Sequence, residues 1–167
     1  GWPPTIKDEK SALRLVMIQS GYPVPSQFQN NRDYAQIPTI SVLCDTTSLS
    51  ADQFVDSLLN GKSKSKQRAF FLKNLPLINK NHEILKRSPG TLGNAKTTML
   101  EVRQQYTLEV AQAGTDMADV VQDYKAGTIF VAVKDGMVFV IHGICEYKLV
   151  SSYQPIFAAA IASMKFE

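Results

Sequence analysis

The chain has 167 residues, 44% of them hydrophobic and 20% charged, with a net charge of +3 at neutral pH. That size and apolar content suit one globular domain that buries its core without metal or disulfide staples, and no apolar run approaches the roughly 18 residues of a bilayer-spanning helix. So small a charge argues against nucleic acid as a partner, and Gly1-Trp2-Pro3-Pro4 has neither an initiator Met nor a signal peptide, as expected of a start that follows a removed signal or a lipidated Cys in an envelope protein, or a trimmed tag in a cytosolic one.

Residues 1 to 36, rich in Pro, Asn, Gln and Ser, read as an N-terminal extension packed on the body, with one strand at Leu13 to Ile18 and a polar loop through Pro23, Pro25 and Gln27 to Arg32. The body proper runs from 37 to 167. Ile40, Val42 and Cys44 alternate with Thr39, Ser41 and Leu43, which predicts a second strand ending at Asp45. A well-punctuated helix follows: Ser50 stands at the N-cap, Gln53 completes a capping box, Leu49 and Phe54 fit a hydrophobic staple, and Asn60-Gly61 ends it. Phe54, Val55, Leu58 and Leu59 form one apolar stripe, so this helix lies on the sheet. Lys62 to Arg68 reads as a linker, and Ala69 to Ile78 as a partly buried segment in which Pro76 interrupts any helix.

Ile84 to Arg87, a turn at Ser88-Pro89-Gly90 and the alternating Thr98, Leu100, Val102, Tyr106 and Leu108 predict a hairpin whose loop reaches Gly93. Over Asp116 to Ala126 the spacing of Met117, Val120, Val121 and Tyr124 predicts a helix, with Asp116 and Asp119 at its start and Gly127 as the residue after its end; a strand is the competing reading. Thr128 to Val133 and Met137 to Ile141 flank Asp135-Gly136, a strong signal for a two-residue type I′ hairpin. These two runs barely alternate, the pattern of strands covered on both faces. Tyr153, Ile156, Phe157, Ala160, Ile161 and Met164 then mark a helix capped by Ser151 or Ser152, with Pro155 in its first turn. The expected architecture is α+β: an antiparallel sheet flanked by helices on both faces, an α/β/α sandwich.

Charge is unevenly spread. From Lys62 to Arg87 eight basic residues face Glu83 alone, whereas Glu101 to Asp123 carries five carboxylates against Arg103. Lys62, Lys64, Lys66 and Arg68 are therefore the candidate contact for an acidic protein partner or an anionic membrane surface, beside the plainer reading of a solvated face. Cys44 and Cys145 stand near the ends of predicted strands. They are either a disulfide, in an oxidising compartment, or two buried free thiols. With His82 and His142 at no metal-like spacing to them, no metal site is expected. His142 reads as a hydrogen-bonded core residue rather than a base. Ser88 to Asn94 lacks the Gly-Lys-Ser/Thr ending of a phosphate loop, and Asp116 with Asp119 has a helix-start explanation. No cofactor is expected.

The order of features, from the Pro-Thr-Ile-Ser-Val strand at Pro38, through the capped helix, the central Leu-Gly hairpin and the Asp-Gly hairpin to the Tyr-x-Pro-x-Phe helix closing on Ser163-Met164-Lys165-Phe166, resembles the superfamily that joins photosystem PsbP, the Ran-binding Mog proteins and bacterial envelope lipoproteins. The resemblance covers Ile37 to Phe166 and is best from Gly127 onward. It implies a PsbP-like antiparallel sheet between helices and a non-enzymatic role, as accessory subunit, binding lipoprotein or secretion chaperone. The expected function is thus an exported binding or scaffold domain, periplasmic or lumenal and lipid-anchored. A cytosolic chaperone or regulator holding a partner segment on its sheet or in a groove is the alternative, and a hydrolase with an unrecognised site the second.

Overall fold

The computed structural model describes residues 13–18, 37–61, 65–78, 81–111, 114 and 118–165. Six strands form one antiparallel sheet: β1 (Leu13–Ile18), β2 (Thr39–Thr46), β3 (His82–Leu92), β4 (Ala95–Ala111), β5 (Ala118–Lys134) and β6 (Met137–Glu146), in the spatial order β1-β2-β6-β5-β4-β3. Among the described residues the α-helices are α1 (Ala51–Asn60), α2 (Lys66–Asn74) and α3 (Val150–Ala162). The fold is therefore α+β.

Short-range chemistry explains the elements that were legible in advance. Asp135 and Gly136 both take positive φ, 50° and 74°, as a type I′ turn requires, and the Thr47 N–H donates to Gly136 O at 2.8 Å, tying the turn to the end of β2. At α1 the capping box is complete: Ser50 Oγ accepts from Gln53 N at 3.2 Å and Gln53 Oε1 accepts from Ser50 N at 3.0 Å. Two orphan amides of the first turn are thereby satisfied.

The core falls into two clusters. Phe54, Val55 and Leu58 of α1, Phe71 of α2 and the short 3-10 turn Pro76–Ile78 pack on Leu43, Leu100, Val102, Ile129, Val131, Val138 and Val140. A second, smaller cluster joins Phe130, Ala132 and Ile141 to Ile161 of α3 and to Met164. Neighbouring residues of β5 thus serve different clusters, and burial is unbroken from Lys125 to Ala132. Close approach of α3 depends on Gly143: a Cβ there would meet the Phe157 ring at 2.5 to 2.8 Å.

Five expectations need correction. Residues 118 to 126 are strand, not helix, because β4 offers a partner for their whole length and pairing overrides a helical spacing that β-branched Val120 and Val121 only weakly support. No turn forms at Ser88-Pro89-Gly90; β3 runs on to Leu92 and the loop is Gly93-Asn94. Pro89 is tolerated since β3 is an edge strand whose outward side needs no N–H. Lys66 to Arg68 is helical rather than linker, capped by Ser65, whose Oγ accepts from Arg68 N at 3.1 Å. Helix α3 begins at Val150, continuing the 3-10 turn Tyr147–Leu149, so its N-cap is Leu149 with no side-chain bond and Pro155 sits beyond the first turn. Ile156, expected on the buried stripe, is 53% exposed.

Candidate functional site

The pairing of β3 with β4 starts at His82 opposite Gln104, and that of β6 with β5 ends at Lys125 opposite Glu146. Beyond these points β4 and β5 continue as a two-stranded ribbon, from Gln105 opposite Tyr124 to Ala111 opposite Ala118. Sequence explains the length: Gln105 to Ala111 and Ala118 to Tyr124 contain no Pro or Gly to interrupt pairing.

At the root of this ribbon three strands and the 3-10 turn after β6 bring together residues far apart in the chain. Arg103 of β4 packs on two tyrosines, its Cζ lying 5.0 Å from the Tyr124 ring centroid and 5.5 Å from that of Tyr147. The two rings stand 6.2 Å apart at 59°. Glu83, directly opposite Arg103 on β3, pairs with its guanidinium and raises its pKa further, so the charge is fixed in place. Tyr124 and Tyr147 remain 36% and 40% exposed, presenting aromatic surface to solvent.

Next to the cluster lies a buried polar group: Gln104, Lys125, His142 and Glu146. Lys125 Nζ sits 4.9 Å from the centroid of the Tyr106 ring, Tyr106 donates its hydroxyl to Asp123 at 3.3 Å, and Glu146 accepts from Lys148 Nζ at 2.6 Å, raising the Lys148 pKa. His142 is 2% exposed, and its Nε2 meets no hydrogen-bonding atom. Burial, assisted by the charge of Lys125, lowers its pKa to about 3. A neutral imidazole with so little proton affinity is a poor general base near neutral pH.

Among the described residues two surface hollows carry polar groups. One, of about 690 Å³, lies between the start of α1 and the β3–β4 hairpin, where Asp52 and Asp56 both pair with Arg87 and raise its pKa, Asp56 at 2.6 Å. A smaller one, of about 230 Å³, separates α1 from α2. Among the described residues no group of three or more His, Cys, Asp or Glu is placed to hold a metal ion, and no helix is long and apolar enough to cross a membrane.

Of the basic residues singled out by sequence, Lys62 and Lys64 lie outside the described residues, and Lys66 is exposed at the head of α2. Arg68 turns back: its Nε donates to Ser57 O at 2.9 Å and its Nη2 to Leu58 O at 3.0 Å, so it serves the C-terminal carbonyls of α1. Cys44 and Cys145 are both buried and free. Phe139 is the residue opposite Cys44, and Cys145 stands six residues further along β6, about 20 Å away at ~3.4 Å per residue, far beyond disulfide reach. Of the two alternatives, the register supports two separate buried thiols. Sequence reading missed Arg103, Tyr124 and Tyr147. The one available signal was Arg103 as the lone base in an acidic window, and the helical reading of 116 to 126 hid its partner.

The sequence matches no protein-family model and no curated protein. Among solved structures the chain is similar to LpqN, described as involved in cell envelope biogenesis of Mycobacterium tuberculosis, at 15% identity over 97% of this chain and 87% of that one, with a TM-score of 0.39. A likeness at that level decides neither activity nor location.

Proposed function

We propose that the chain is a non-enzymatic binding or accessory domain of the cell envelope, exported to a periplasmic or lumenal space, that holds a protein partner against the root of the β4–β5 ribbon. The observation that carries this is the Arg103–Tyr124–Tyr147 cluster, with both rings more than a third exposed. Tyr and Arg dominate interface hot spots because they bring large contact area and directional polar groups at small entropic cost. Here the guanidinium is already immobilised by Glu83, so little ordering remains to be done on binding.

The rest of the reading is architectural. Alternate side chains of β5, packed with α1 and α2 in one cluster and with α3 in the other, favour the α/β/α sandwich and with it the PsbP-like kinship. Such a body would hold the tyrosines on a stiff frame. Exposed Lys66, with Lys62 and Lys64, is a second proposed contact, for an acidic partner or anionic lipid.

The test is a photo-crosslinking residue in place of Tyr147, introduced in the native cell. A discrete adduct that weakens with Arg103→Ala is expected. Labelling no different from that obtained at exposed Ile156 on α3 would remove the cluster from consideration.

A further inference from the structure

We infer that the occupant of this surface is a Lys/Arg-rich, extended segment of a partner protein, added as a strand to the free edge of β5 over residues 118–124. The inference rests on the ribbon root being a binding surface and specifies what binds there. Once β6 has left β5 at Lys125, no strand among the described residues pairs with that side of β5. The Tyr124 N–H donates to Asp123 Oδ1 at 2.7 Å, and the alternate backbone N–H and C=O groups before it in 118–123 face outward, the template on which peptide strands add to sheets.

The contrast with β3 sharpens this. That edge carries features that keep strands away: Pro89, a bulge between Ile84 and Lys86, and an exposed lysine at Lys86. Residues 118–124 hold no proline, no basic residue and no irregularity of register with β4. Charge selects the occupant. Between Arg103, whose charge Glu83 pairs, and the buried Lys125 the chain carries Glu109, Asp116, Asp119 and Asp123 and no basic residue, so a cationic strand is favoured over an anionic one or an anionic membrane. The side chains agree. Val120 is 66% exposed and lies on the same side of β5 as Tyr124, so an incoming strand can lay apolar side chains on Val120 while its alternate lysines fall on the side of Asp123. A second copy of this chain fits worse. Antiparallel pairing of two such edges centred on Val121 would put Asp119 at the register position opposite the second copy's Asp123, pairing acidic residues.

The experiment titrates the full chain with a synthetic peptide of alternating Lys and Val, followed by backbone amide chemical shifts. Shifts centred on 118–124 and Tyr147 are expected, with affinity about tenfold weaker for the Asp119→Asn, Asp123→Asn double variant at low salt. Methylating every second peptide nitrogen on the pairing side should abolish binding, a control that leaves the chain's own folding untouched. Equal binding of a Glu–Val peptide, indifference to N-methylation, or shifts centred on 65–73 would overturn the inference. So would concentration-dependent dimers without peptide, which give the edge to a second copy. If the peptide fails while crosslinking from position 147 succeeds, the surface stands and only its occupant is wrong; failure of both removes both.

Discussion

Acid should weaken this protein measurably through one buried residue, His142. In the native chain burial lowers the His142 pKa from 6.5 to about 3. An unfolded chain returns the imidazole to water and to its ordinary value. Between those two values the unfolded state binds a proton that the native state excludes, so the stabilisation is complete above about pH 6.5 and is lost as pH falls toward 3. With ~1.36 kcal/mol per pH unit, the loss attributable to His142 from pH 7 to pH 5 is about 2 kcal/mol, a large share of the roughly 5 to 15 kcal/mol typical of a domain. Urea unfolding at the two pH values measures it, in the wild type and in His142→Leu, which removes both the titrating group and the unpartnered Nε2. The wild type should lose about 2 kcal/mol more than the variant, since carboxylates contribute equally to both. Equal acid sensitivity in wild type and His142→Leu would refute the reasoning.

Packing and thiol chemistry give two further expectations. Gly143→Ala drives a methyl into the Phe157 ring and should destabilise by about 1 to 3 kcal/mol, while combining it with Phe157→Val should cost less than the sum of the single changes; strict additivity would mean that α3 does not rest on Gly143. Native protein should react with a thiol reagent at neither Cys44 nor Cys145, the latter held to a pKa of about 12 by burial and the neighbouring Glu146. Both thiols should react once the chain is unfolded without reductant, and a mass two hydrogens lighter before reduction would contradict the register that separates them.

What could be read in advance was what short-range chemistry specifies. A positive-φ Asp135-Gly136 pair and the reciprocal Ser50–Gln53 bonds need only a few adjacent residues, and both formed as expected. Leu13–Ile18 likewise emerged as a strand from its own composition. The local signals at Ser65 and at Val150 were misread, and two further readings failed because a distant partner decides them. Residues 118 to 126 have a spacing compatible with helix, but β4 supplies backbone partners for every one of them. Pro89 looks like a turn residue until it is known that one side of β3 faces no strand. The candidate site was illegible for the same reason. Glu83, Arg103, Tyr124 and Tyr147 come from four separate segments, and only the register of β3, β4 and β5 makes them neighbours. His142 was recognised as a core residue, but its unpartnered nitrogen could not be foreseen from an apolar run.

The most direct test of the account is backbone hydrogen exchange in the chain alone and in the complex isolated with its partner from the native cell. Slowed exchange on binding at 118–124 and around Tyr147, with 65–73 unchanged, is the predicted result. Protection that falls on 65–73 while the ribbon exchanges as before would contradict the claim that the partner meets the Arg103–Tyr124–Tyr147 surface.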